Sequence, residues 1–156
     1  ILFIKNHFVN NGMIFPEHSN DVTTSGRKLY IKRDGARNIE NNQEIEEYFK
    51  QENFEFIAPH EYSLSEKKKK FRTASIIVGP ASSGFTNIIF CLPGTKVMMF
   101  TNFQRSYDPY LSTIAHCFEV NLCAITGTDI LPSSPHSSYR ISLARIKIAY
   151  KDFIKA

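Results

Sequence analysis

Three observations predict an α/β fold, a parallel sheet with helices on both faces. Strand-like and helix-like runs alternate from Lys28 to the C-terminus. One β-branched run, Ser75 to Val78, ends in small residues and opens directly into a helical segment. The 156 residues are 42% hydrophobic and 13% aromatic, enough for one domain with a substantial core.

Ile1 to Val9 is apolar and strand-like, either an edge strand or part of an interdomain segment, and the polar stretch Asn10 to Gly26 connects it to the next strand. The chain opens on Ile within a strand-like run, so the expectation is a fragment or processed chain. Segment 1–26 is then a connection and 27–156 the domain. K-L-Y-I-K, Lys28 to Lys32, reads as a strand, and R-D-G-A-R-N after it as a basic loop. Asn41 or Asn42 can cap a helix reaching about Asn53, with Glu44 in its first turn and Ile45, Tyr48 and Phe49 on one face. Phe54 to Ile57 is the next strand, closed by Pro59. Ser63 or Ser65 caps a helix to about Thr73 that carries Lys67 to Lys70, read as a solvated face rather than a binding patch.

Ser75 to Val78 is then a buried strand, stopped by Gly79 and Pro80. Ser82, Ser83 and Gly84 form a turn, and Phe85 to Cys91 a helix or helical turn ended by Pro93-Gly94. Lys96 to Phe100 is a strand, Tyr110 to Phe118 a helix and Val120 to Ala124 a strand. Gly127 to Ser138 is a loop rich in Pro and Ser. Tyr139 to Lys155 is a final helix with Ile141, Ala144, Ile148 and Phe153 along one stripe. The alternation gives a Rossmann-like sheet.

Composition bounds the function. The net charge is +4, which suits phosphorylated ligands, nucleic acid or an anionic surface alike. Nucleic acid is set aside, because no aromatic-interleaved basic strand, helix-turn-helix pattern or zinc spacing accompanies the charge. Three cysteines, Cys91, Cys117 and Cys123, make neither a disulfide framework nor a zinc site, and they point to a reducing, cytoplasmic compartment with buried thiols. No run is long enough to span a membrane. The C-terminal helix, with Arg140, Arg145, Lys147 and Lys151, offers a peripheral membrane contact or a face for packing on another domain.

Two loops at carboxyl ends of predicted strands stand out. Arg33 to Asn38 is basic. Gly79 to Asn87 offers backbone N–H groups and hydroxyls where a strand opens into a helix, an arrangement that favours an anion. Small residues at such a junction also serve simply to pack helix on strand. If both loops face one crevice they form a site for a phosphate or diphosphate, with arginine forks gripping paired oxygens. Asp34 reads as a turn residue and no acidic cluster suggests a metal. His60, His116 and His136 read as an unpartnered loop residue, a packed helical residue and a surface loop residue.

The run L-Y-I-K-R-D-G-A-R-N-I-E-N-N-Q-E-I resembles a segment of glycosyltransferase family 61, "YISR…A…R…I.NE.E". The run A-S-I-I-V-G-P-A-S-S-G-F-T-N-I-I-F-C-L-P-G-T-K-V resembles its "A..IIGPHGAGLTN..F..PGT.V" segment. Between them S-E-K-K-K-K-F-R-T-A is similar to its "LS..EQ…F..A" helix. The likeness covers Lys28 to Ala124. It implies a GT-B type, metal-independent enzyme that takes a nucleotide-diphosphate sugar and passes the sugar to a glycan acceptor, as in capsule or lipopolysaccharide assembly. This chain would be the C-terminal, donor-binding half, with the acceptor-binding half and the general base elsewhere. Arg33, Arg37 and Asn41 then match the first motif, and Gly79, Pro80, Gly84, Thr86 and Asn87 the second. The donor site implied is Arg33, Arg37, Asn41, Ser82, Ser83, Gly84, Thr86 and Asn87. Ala81 stands at the motif's histidine, Ser82 at its glycine, Ser83 at its alanine, Lys32 at its serine and Asn42 at its glutamate. The loss of the histidine keeps open a catalytically degenerate module that serves binding or assembly.

Overall fold

The computed structural model describes residues 26–33, 38–103, 109–130 and 137–156. The opening Ile1 to Val9, the loop beginning at Asn10, and Asp34, Arg37 and His136 lie outside them. The elements are β1 (Arg27–Ile31), α1 (Asn42–Gln51), β2 (Glu55–Ile57), a 3-10 turn (Pro59–Glu61) and α2 (Leu64–Arg72). Next come β3 (Ala74–Pro80), a 3-10 helix (Ser83–Phe90), β4 (Lys96–Asn102) and α3 (Pro109–Cys117). The last three are β5 (Asn121–Asp129), β6 (Tyr139–Arg140) and α4 (Leu143–Lys155).

The strands form one sheet in the order β2-β1-β3-β4-β5-β6. The first five are parallel, so the fold is the Rossmann-like α/β arrangement the alternation predicts. Each face carries its own core. Leu29, Ile31, Ile77, Val97 and Met99 project to one side, under Phe71 of α2, Phe85 and Ile88 of the 3-10 helix, and Leu111 and Ala115 of α3. Their neighbours Tyr30, Val78, Met98, Phe100 and Ile125 project to the other, under Ile45, Tyr48 and Phe49 of α1 and Ile146 and Tyr150 of α4. Alternation along each strand produces both layers. Phe49 is fully buried and packs within 6 Å, centroid to centroid, of Tyr30, Tyr48, Phe54, Phe100 and Tyr150.

Several local expectations are corrected. Gly79 and Pro80 do not stop β3: they pair with Met99 and Phe100, and the Ala81 N–H still donates to the Phe100 carbonyl at 2.7 Å. Glycine is required here because position 79 passes against Ile31, at φ +153°, where a Cβ would lie 2.4 Å from the Ile31 carbonyl oxygen. Strand β5 runs five residues past Ala124, to Asp129. Its last two residues pair antiparallel with β6, where the sequence suggested the start of the final helix. Gly127 allows this return, since a Cβ there would lie 2.7 Å from the Arg140 carbonyl oxygen. The helix starts at Leu143, where the Ser142 hydroxyl accepts from the Arg145 N–H at 3.4 Å.

The inward stripe of α4 also differs from the one expected. Ile146 and Tyr150 are buried, with Leu143, Ala149 and Phe153 beside them, whereas Ala144 and Ile148 face solvent. Leu143, Ile146, Tyr150 and Phe153 step by three, four and three, the true helical spacing. His116 is exposed on α3 rather than packed. The segment after the Ser82-Ser83 turn is a 3-10 helix. Asn41 sits at the N-cap of α1 but makes no side-chain cap bond, because its carboxamide is engaged elsewhere.

Candidate functional site

The strand order fixes where a crevice can open. Strand β1 has β2 on one side and β3 on the other, so the connections leaving β1 and β3 part to opposite faces of the sheet. In open α/β sheets this reversal leaves a crevice outside the carboxyl ends of the two strands, where ligands bind. A cavity of about 520 Å³ lies there. Its walls come from four places: Lys32 and Arg33 after β1, Pro59 and His60 after β2, Lys67 on α2, and Ser82 to Gly84 with Thr86 and Asn87 after β3.

Each wall has a local cause. The Lys32 N–H donates to the Ile57 carbonyl at 2.8 Å, so β1 and β2 end together and send their next residues over the same edge. The Arg33 guanidinium donates to the Ala81 carbonyl, which joins the basic loop to the small-residue turn. At Gly84 a Cβ would come within 3.0 Å of the Ile31 side chain and 3.3 Å of Pro59, so a small residue lets the turn close on β1. The 3-10 helix takes part of the donor set for itself. The Phe85 N–H bonds the Ser82 carbonyl at 3.1 Å, the Thr86 hydroxyl the Ser83 carbonyl at 2.8 Å, and the Asn87 amide the Gly84 carbonyl at 2.9 Å. The expectation that Gly79 to Asn87 offers free backbone N–H groups is therefore corrected at Phe85, whose N–H closes the first 3-10 turn. The Ser82 hydroxyl is buried in the turn without a hydrogen-bond partner.

The charge of the crevice is one-sided. Lys32, Arg33 and Lys67 line it, and among the described residues that line it none is Asp or Glu. Among the described residues no group of three or more His, Cys, Asp or Glu is placed to hold a metal ion. Cys91 and Cys123 are not activated: burial pushes Cys91 well up, against an opposing effect of the Thr95 hydroxyl, and burial raises Cys123 too.

A second cavity of about 370 Å³ lies on the far side of Arg33, lined also by Asn38, Glu40, Asn42 and Pro80. The chain here is tied to β6. The Tyr139 N–H donates to the Asn38 carbonyl at 3.1 Å, and the Glu40 N–H to the Tyr139 carbonyl at 2.9 Å. Asn41 completes the clasp, donating to the Ile141 carbonyl at 2.8 Å and accepting from the Ile141 N–H at 3.3 Å. Of the site residues read from the sequence, the structure gathers Arg33, Ser82, Ser83, Gly84, Thr86 and Asn87 in one crevice. Asn41 lines neither cavity, and Arg37 lies outside the described residues. Sequence reasoning missed Lys32 and Lys67 as lining groups. Neither carries a local signal: Lys32 reads as the end of a strand, and Lys67 is one of four consecutive lysines.

The fold and the crevice define an α/β domain with a cationic cleft at its topological switch point. Residues 7–98 match the family model described as Glycosyltransferase 61, and no curated protein matches the chain. The match spans more than half of the sequence, and the chain belongs to the glycosyltransferase 61 family, whose work is glycosyl transfer. No described helix is long and apolar enough to cross a membrane.

Proposed function

We propose that the crevice holds the diphosphate of a nucleotide-sugar donor, and that the protein passes the sugar to a glycan acceptor by a metal-independent reaction of the GT-B type. The observation that carries this reading is the cleft at the sheet's switch point, lined by Lys32, Arg33 and Lys67 and by no carboxylate among the described residues. In the transfer, the bond between the anomeric carbon and the diphosphate oxygen breaks while the acceptor oxygen bonds that carbon. The acceptor proton leaves to a base on the acceptor-binding half. The diphosphate gains negative charge, and donors already held in place stabilise it without reorganising. Arg33, the Ser82 and Ser83 hydroxyls, the remaining amides of the turn and the second N–H of the Asn87 amide would do this here, with Arg37 adding charge to the same loop; the Thr86 hydroxyl, committed to the Ser83 carbonyl, would hold the turn in shape. Asn41 would act at one remove, by fixing that loop on Ile141. This domain would be the C-terminal half of the enzyme, working on the cytoplasmic side in the assembly of a capsule or another surface polysaccharide.

Calorimetric titration with a nucleoside diphosphate tests the reading. Arg33→Ala should weaken binding by about 1.5–3 kcal/mol, the worth of a hydrogen bond to a charged group. Arg33→Lys, which keeps the charge but loses the fork, should fall between the two. Equal affinity in all three proteins would remove the clamp. A second reading, a donor-binding module without catalysis, is favoured by Ala81, which brings no titratable group to the turn. Donor binding without sugar transfer, in the presence of the acceptor-binding half and a glycan acceptor, would support it.

A further inference from the structure

We infer that Lys67 is the group that makes this crevice select a diphosphate over a monophosphate; the inference rests on the donor-site reading above. The lysine run on α2 is not one uniform solvated face. Lys70 is turned to the Glu55 carboxylate and lies over the Tyr62 ring. Lys68 lies 6.0 Å from the centre of the Phe90 ring. Lys69 is exposed on the outer surface. Lys67 alone among the four lines the crevice, half-buried, and no ion-pair partner for it exists among the described residues.

The geometry of the helix start keeps it that way. Ser63 and Glu66 form a reciprocal cap: the Glu66 carboxylate accepts from the Ser63 N–H at 2.8 Å and from its hydroxyl at 2.6 Å. The carboxylate nearest Lys67 in sequence is thereby held on the cap. The same cap fixes the first turn, and the Lys67 N–H closes on the Ser63 carbonyl at 3.0 Å. Lys67 therefore projects from an anchored turn into a cleft whose described lining offers it no carboxylate.

The two charged walls differ in kind. On the β1 and β3 side, Arg33 is already fastened to the Ala81 carbonyl beside the Ser82-Ser83-Gly84 turn, a rigid set of donors around one point, with Lys32 next to it on the same wall. On the α2 side, Lys67 supplies a point charge on a flexible stem. A single phosphate is satisfied by the rigid set. A second phosphate extends away from it into the cleft and meets the ammonium. Lys67 is thus a specificity-determining binding residue, separate from the clamp itself.

The test is calorimetry with a nucleoside diphosphate and the matching monophosphate on the wild type and on Lys67→Gln, Lys67→Arg and Lys69→Gln, each checked for folding by circular dichroism. Lys67→Gln should weaken the diphosphate about tenfold and the monophosphate less than about twofold, as expected for loss of one charge-assisted contact. Lys67→Arg should keep the preference, and Lys69→Gln should change neither affinity. Equal loss for both nucleotides, or no loss, in a wild type that binds diphosphate overturns the inference and leaves the donor site standing. A wild type that binds neither nucleotide overturns both.

Discussion

Replacing Gly79 by alanine is the sharpest test of how the crevice is built. The new Cβ would sit 2.4 Å from the Ile31 carbonyl oxygen and 3.2 Å from its carbonyl carbon and its nitrogen, all backbone atoms of the neighbouring strand. A clash with a strand inside the sheet cannot be relieved by a side-chain rotation, so β1 or β3 must move. Overpacking of this kind costs about 1–3 kcal/mol. The φ of +153° lies where side chains are strained, adding about 1–3 kcal/mol. The expected loss is therefore about 2–6 kcal/mol, read as a drop in the urea midpoint at unchanged slope. Gly94→Ala separates the two causes, because Gly94 has φ +81° but nothing within 4 Å of its Cβ position. It should cost only the conformational part, about 1–2 kcal/mol. Because the displaced atoms directly precede Lys32 and Arg33, Gly79→Ala should also weaken nucleotide binding in whatever fraction stays folded. A Gly79→Ala loss no larger than that of Gly94→Ala would refute the claim that close approach of β3 to β1 shapes the cleft.

Other outcomes rest on the same structure. The Tyr30 hydroxyl is buried without a hydrogen-bond partner, so Tyr30→Phe should leave stability unchanged or raise it by about 1 kcal/mol in urea unfolding. Burial, with Glu46 and Tyr139 adding to it, pushes the Tyr30 pKa far up. Burial, with Glu52 and Tyr48 adding to it, pushes Tyr150 up from 10.0 to about 12. Raised values in the folded state mean that stability is intact below pH 10 and falls as pH rises from 10 through about 12, and pH-dependent unfolding by fluorescence should show that slope. Ser63→Ala should cost about 1 kcal/mol through loss of the α2 cap, with the Glu66 carboxyl, now held low by Ser63, moving back up in an NMR titration.

The parallel sheet, its two-sided core and the small-residue turn after β3 were legible in the sequence, because each rests on local pattern. The β-branched runs mark the strands, and Ile45, Tyr48 and Phe49 mark the inward face of α1 by spacing alone. The part that was not legible depends on distant partners. Gly79 and Pro80 look like breakers, yet they continue β3 because β4 runs alongside as far as Asn102. Tyr139 and Arg140 look like the start of a helix, yet pairing with Thr128 and Asp129 holds them extended. Asn41 takes the cap position expected of it, but instead of capping the helix its amide finds the Ile141 backbone 100 residues on. Lys67 read as solvated because a run of four lysines gives no hint that one of them faces a cleft. Each of these is a tertiary contact overriding a local preference.

The central claim is that an anionic ligand sits between Arg33 and the Ser82-Ser83-Gly84 turn. Its most direct test is a crystal structure of the protein soaked with a nucleoside diphosphate. Phosphate oxygens within hydrogen-bond distance of the Arg33 guanidinium and of the turn, at the carboxyl ends of β1 and β3, would bear the claim out. Nucleotide bound at another edge of the sheet, or the cleft left empty at saturating ligand, would contradict it.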